Sequence, residues 1–223
     1  MQRYLIMLAA AVLLVGLAAP ALADDFQPAS FRGEDLTVAA EWEFISQSLI
    51  DLPPSYINWI DDGVHEYNES CYVHTHPNQV FWAADPNEPG DGIAYTNDIP
   101  GQLDFFLCNF IDDYDFKYVW VQITYGETMP GMGGIPYIYE VVAPNEVTNG
   151  WENAVYGMQI EFADMPPMYR TELWILPYNP DREFVNLWIP PHTYIDQIWI
   201  ETISTPVVPN EDVTWGQLKS LYR

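Results

Sequence analysis

Tyr118-Val119-Trp120-Val121-Gln122-Ile123-Thr124 is the stretch that decides the fold. A run so rich in β-branched and aromatic side chains reads as a β-strand. Successive side chains of a strand point to opposite faces, so Val119, Val121 and Ile123 share one side while Tyr118, Trp120, Gln122 and Thr124 share the other. The first side is core. The second sets an indole among amides and hydroxyls, too apolar to be left bare on a soluble monomer. It must therefore be covered by loops of the same chain, by a neighbouring copy, or by a ligand with flat apolar faces and many hydroxyls.

The pattern repeats along the chain. Val185, Leu187 and Ile189 oppose Phe184, Asn186 and Trp188; Leu173 and Ile175 oppose Glu172 and Trp174; Ile198 and Ile200 oppose Gln197, Trp199 and Glu201. Strands are expected near 37–45, 71–76, 79–83, 104–110, 117–125, 136–142, 154–162, 171–177, 184–189 and 194–204. Between them stand Pro53-Pro54, Asp85 to Gly90, Pro130 to Gly134, Pro166-Pro167, Asn179-Pro180-Asp181 and Pro190-Pro191, which terminate ladders and helices alike. Helix is expected only over Ile45 to Leu52 and at the carboxy terminus. Many short strands without interleaved helices define an all-β chain, an antiparallel β-sandwich or jelly roll with a short C-terminal helix.

Met1 to Ala23 has a basic start at Arg3, an apolar run from Leu5 to Ala19 and Ala21-Leu22-Ala23 before Asp24, the three regions of a secretory signal peptide. The organisation expected is a signal peptide (1–23), a β-sandwich domain (24–204), an acidic linker (205–212) and a terminal tail helix (213–223). The product is placed outside the cell or on its surface, with no membrane insertion after cleavage. Seven Lys and Arg against 32 Asp and Glu give a net charge of −25, which repels phosphate backbones and disfavours nucleic acid as a partner. The two cysteines, Cys71 and Cys108, both lie in the exported part and are expected to form one structural disulfide.

The aromatic-polar faces are the candidate binding surface. With 9 Trp, 15 Tyr and 10 Phe, the chain has rings to stack on the C–H face of a pyranose while amides and carboxylates bond its rim. The candidate ligand-binding residues are Tyr118, Trp120, Gln122, Trp174, Phe184, Asn186, Trp188 and Trp199. His74 and His76 share one strand face and supply two imidazoles toward a transition metal, with a third ligand needed from His65, Glu66 or Asp85. Two oxygen-rich loops suit Ca²⁺, one through Asp85, Asn87 and Asp91 and the other through Asp112, Asp113 and Asp115, so a structural Ca²⁺ is the one ion the loops point to. Neither loop has EF-hand spacing, and Asp and Asn are equally natural in plain turns. There is no GxSxG, HExxH, P-loop or Rossmann glycine pattern. Glu140, Glu161, Asp164, Glu172 and Glu201 are available for a carboxylate pair of the glycosidase kind.

In Val213 to Arg223, Thr214 with Gln217 forms a capping-box pair, Trp215, Leu218 and Leu221 fall at helical spacing, and Lys219 and Arg223 sit where the helix dipole favours cations. This tail resembles a short T-W-G-x-hydrophobic-K ending found on secreted bacterial proteins, and the resemblance implies a sorting or attachment tag. Tyr194 to Thr202 is similar to the final strand of exported bacterial β-sandwich proteins with a PEP-CTERM sorting tail, although the Pro-Glu-Pro motif and its membrane helix are absent here. Both likenesses cover only the chain from Tyr194 onward and imply location, not activity. The reading of the residues is then a non-catalytic secreted surface or matrix protein that binds a polysaccharide or a neighbouring subunit. The alternatives are a jelly-roll glycoside hydrolase or lyase and a subunit of an extracellular filament.

Overall fold

The computed structural model describes residues 29, 31–61, 63–64, 66–68, 71–76, 78–86, 90–111, 114, 116–145, 150–153, 156–163, 168–176, 180 and 182–205. The signal peptide, the linker from 206 on and the tail helix fall outside them. The strands are β1 (Thr37–Trp42), β2 (Tyr56–Ile60), β3 (Glu66–Asn68), β4 (Tyr72–Thr75), β5 (Phe81–Ala84), β6 (Gly92–Tyr95), β7 (Gly101–Leu107), β8 (Asn109–Ile111), β9 (Phe116–Glu127), β10 (Tyr137–Asn145), β11 (Gly150–Asn153), β12 (Tyr156–Ala163), β13 (Met168–Leu176), β14 (Glu183–Ile189) and β15 (Thr193–Thr205). An eight-stranded sheet runs β12-β13-β9-β15-β1-β2, with the β5–β6 hairpin added alongside β15; a five-stranded sheet runs β11-β10-β14-β7-β4; β3 and β8 form a small third sheet. The pairings within these sheets are antiparallel.

The two large sheets pack face to face over one core. Val119, Val121 and Ile123 of β9 and Ile198 and Ile200 of β15 meet Leu103, Phe105, Val185 and Leu187 of the opposing sheet. Trp42 fills the centre edge-on to Phe105, with ring centroids 5.0 Å apart, and its indole donates to the Leu52 carbonyl. These strands form because their aliphatic residues recur every second position and bury on one side. Each square ångström of apolar surface so removed from water contributes about 25 cal/mol.

The helix expected over Ile45 to Leu52 is not there; the segment is irregular. Phe44 and Asp51 take left-handed backbone conformations, φ 50° and 53°, that break a helix at both ends. The Ser46 and Ser48 hydroxyls accept from the amides of Ser48 and Ile50, each at 3.4 Å, competing with helical bonding. Leu49 and Leu52 instead drop into the core, and Leu52 bridges to Val73. Cys71 and Cys108 are bonded, as expected, with their Cα atoms 4.8 Å apart.

A charged pair is fully buried where the sheets meet. Glu183 of β14 has no exposed surface, faces the Lys117 ammonium at 3.3 Å and accepts from the Asn109 amide at 3.1 Å. Burial pushes the Glu183 carboxyl up to about 7 despite Lys117, so the folded state holds this proton more tightly than the unfolded chain does. The stabilisation is full below an unfolded pKa near 4.5 and is lost as pH rises through 7. Urea unfolding should therefore show a loss of about 3 kcal/mol from this group between pH 4.5 and 8. Glu183→Gln should flatten that part of the profile; an unchanged slope would assign the pH dependence to other carboxylates.

Candidate functional site

The eight ring-bearing and amide residues singled out from the sequence fall in three places rather than on one face. Tyr118, Trp120, Gln122 and Trp199 lie on the outer face of the eight-stranded sheet, opposite Val119 and Val121, as alternation requires. That face is covered by the chain's own amino-terminal segment. Ala29 and Phe31 pack on Trp120 and Leu173, with Tyr118 and Ile203 at the margin. Glu201 anchors the segment, accepting from the Ala29 amide at 3.1 Å and from Arg32 Nε at 2.8 Å, and the Arg32 guanidinium lies 4.6 Å above the Trp199 ring. The puzzle of Trp120 among polar groups is answered here: the ring meets Phe31, and Glu201 beside it in the ladder meets Arg32. Burial pushes the Tyr118 hydroxyl up.

Trp174 is elsewhere again. In β13 the alternation is right but the faces are exchanged, because Trp174 pairs with Val119 and Leu173 with Trp120. Trp174 thus turns toward the sandwich interior, half-buried against the core, while Leu173 sits outside under the amino-terminal segment. Glu172 explains why an indole and a carboxylate can point inward together. It accepts from Trp174 Nε1 at 3.0 Å and from the Ile138 amide at 3.3 Å, and pairs with Arg170 at 2.5 Å. Burial pushes its carboxyl up, and Arg170 opposes the shift.

Phe184, Asn186 and Trp188 lie on the outer face of the five-stranded sheet, and no described segment lies over it comparable to the one over Trp120. Register places three rows across the strands there. Tyr72, Phe106, Phe184 and Val142 make the first; His74, Asp104, Asn186 and Glu140 the second; Gln102, Trp188 and Tyr137 the third. Tyr72 and Phe106 stack at 4.3 Å, and Phe184 meets Phe106 edge-on at the same distance. In the polar row Asn186 donates to Glu140 at 3.1 Å, Gln102 donates to Asp104 at 2.6 Å, and His76 Nε2 lies 3.1 Å from the other Asp104 oxygen. A bulge between Ile138 and Glu140 inserts Tyr139 as an extra residue beside the row, exposed like Tyr137. Burial, and then the charges of Asp104 and Glu140, push its hydroxyl up.

Sequence reading missed Tyr72, Gln102, Asp104, Phe106, Tyr137 and Tyr139. The signal was present in Gly101-Gln102-Leu103-Asp104-Phe105-Phe106-Leu107, where the doubled phenylalanine puts one ring on each face.

His74 and His76 do share this face, but each meets a carboxylate: His74 Nδ1 lies 3.3 Å from Asp51 and His76 lies on Asp104. Among the described residues no group of three His, Cys, Asp or Glu side chains is gathered around a cation position. Of the expected Ca²⁺ ligands, Asp85 and Asp91 close the β5–β6 hairpin, the Asp85 amide donating to the Asp91 carbonyl at 3.1 Å. Asn87, Asp112, Asp113 and Asp115 lie outside the described residues. Of the acids available for a catalytic pair, Glu201 is held by Arg32, Glu172 faces inward and Glu140 lies on the outer face of the five-stranded sheet; Asp164 and the side chain of Glu161 lie outside what the structure describes.

The described residues form a two-sheet antiparallel sandwich in which one large sheet is covered by its own chain and the other, among those residues, is open. No family model matches the chain, and no curated protein matches it. Among solved structures it is similar to TmCBM61 in complex with β-1,4-galactotriose, at 8% identity over 59% of this chain and 88% of that one, with a TM-score of 0.34. It is also similar to CBM28, a non-crystalline cellulose specific carbohydrate-binding module, at 11% identity over 57% of this chain and 84% of that one, with a TM-score of 0.34.

Proposed function

We propose that this is an exported, non-catalytic β-sandwich protein that binds a polysaccharide on the open face of its five-stranded sheet. The observation that carries the reading is the juxtaposition of a ring row, Tyr72, Phe106 and Phe184, with a polar row, His74, Asp104, Asn186 and Glu140, and with Trp188 and Tyr137 beyond it. Rings supply apolar platforms for sugar C–H faces, and the flanking carboxylates and amides bond hydroxyls directionally. The acidity of the row favours neutral over anionic glycans. Titration of the purified protein with neutral polysaccharides, beside a polyuronate control, tests it. Trp188→Ala should weaken binding by about 2 kcal/mol, roughly 30-fold. Undiminished binding would remove the face from the site, and self-association on size-exclusion chromatography without any glycan binding would assign it to a second copy of the chain.

One observation favours a second reading. Asp104 and Glu140 flank Asn186 in the same row, two strand spacings or about 10 Å apart along the sheet, near the separation used by inverting glycosidases. Release of reducing ends from the bound glycan, abolished in Asp104→Asn, would establish hydrolysis.

A further inference from the structure

Lys117, Asn109 and Glu183 come from three different sheets and converge in one fully buried place. Lys117 is on β9 of the eight-stranded sheet, Glu183 on β14 of the five-stranded sheet, and Asn109 on β8 of the small third sheet. All three are completely buried. A lysine is almost never fully buried without a specific reason, and replacing such pairs by apolar residues is commonly neutral or stabilising. Stability alone is a weak account of this group.

The geometry has a direction. Glu183 Oε1 lies 3.3 Å from the Lys117 amine, while Glu183 Oε2 accepts from Asn109 Nδ2 at 3.1 Å. One carboxylate thus spans an amine and the amide nitrogen of a carboxamide. Asn109 is fixed further by donating to the Pro180 carbonyl, and its Oδ1 is buried with no hydrogen bond among the described residues.

We propose that these residues are a self-crosslinking site, at which the Lys117 amine displaces ammonia from the Asn109 carboxamide and leaves an amide bond between the two side chains. The attack uses the pair in its neutral form, amine and carboxylic acid, reached by moving one proton from Nζ to Glu183, whose carboxyl burial pushes up. The Nζ lone pair attacks Asn109 Cγ. Glu183 Oε1 takes a proton from the attacking nitrogen, and Oε2 delivers one to Nδ2. The Cγ–Nδ2 bond then breaks, ammonia leaves, and Glu183 ends protonated as it began. No oxidant, reductant or co-reactant is needed. Exclusion of water also removes hydrolysis as a competitor. The bond would tie β8 to β9 one residue from Cys108, placing two covalent staples at the same end of the sandwich.

Intact-mass spectrometry of the purified full chain, after reduction of the disulfide and incubation at neutral pH, tests this. The wild type should be lighter than its sequence by one ammonia, tandem spectra should join residues 109 and 117, and trypsin should fail to cut after Lys117. Lys117→Met and Glu183→Gln should each show the unmodified mass. A wild type at full mass, a loss of water instead of ammonia, or a loss that survives Lys117→Met would overturn the proposal. The wild-type measurement decides the matter even if a variant fails to fold.

Discussion

Trp120→Ala is expected to destabilise the fold by about 3–5 kcal/mol while leaving glycan affinity unchanged in the molecules that remain folded. The ring is 1% exposed and forms, with Phe31, Ala29 and Leu173, a separate core on the outer face of the eight-stranded sheet. Removing it opens a cavity and loosens the amino-terminal segment, which is then held by the Ala29 and Arg32 bonds to Glu201 and the Arg32–Trp199 contact. Urea unfolding followed by circular dichroism should show the midpoint falling by about 2 M, given a slope near 2 kcal/mol per molar. The same protein titrated with polysaccharide separates the two large faces, because the proposed binding rows lie across the sandwich on the five-stranded sheet. A lost affinity with retained stability would move the site to the face under the amino-terminal segment.

That separation marks where the sequence stopped being informative. Alternation around Val119 and Val121 located β9, and the same two-residue period located β14 and β15, because a period of two is a local property of the chain. Which face becomes interior is not local. In β13 Leu173 and Trp174 alternate as expected, yet pairing with β9 sends the leucine outward under Phe31 and the indole inward to Glu172. The ladder register decided, and no single strand encodes it. Likewise the cover over Trp120 stayed open among loops of the same chain, a neighbouring copy and a ligand, because Glu201 has its partner in Arg32, 169 residues earlier. The five-stranded sheet was hidden for a different reason. Its outer face is assembled from β4, β7, β10 and β14, with two residues from β4 and three in register from each of the others, so only the composite pattern is distinctive. Short β2, β3, β6 and β11 went unread because three to five residues carry too little alternation to register.

Removing the disulfide, by Cys71→Ala with Cys108→Ala, is expected to cost about 4 kcal/mol and lower the melting temperature by roughly 10 °C. The crosslink spans 37 residues, and freeing that loop restores conformational freedom mainly to the unfolded chain. The folded side also loses, because the Cys108 amide donates to the Cys71 sulfur at 2.8 Å and both sulfurs pack with Leu36, Val38 and Phe110. The consequence reaches the proposed binding face. β4 is a four-residue edge strand held by β7 and by the single bridge from Leu52 to Val73, and the disulfide pins its start to the end of β7. Tyr72 and His74 ride on that strand, so the reduced protein should bind polysaccharide more weakly well below its melting temperature, as β4 frays before the sandwich unfolds. Calorimetric titration with and without reductant checks this. Equal affinities would show that the Phe106 and Phe184 rings and the Asp104 to Glu140 row suffice without β4, and would confine the disulfide's part to global stability.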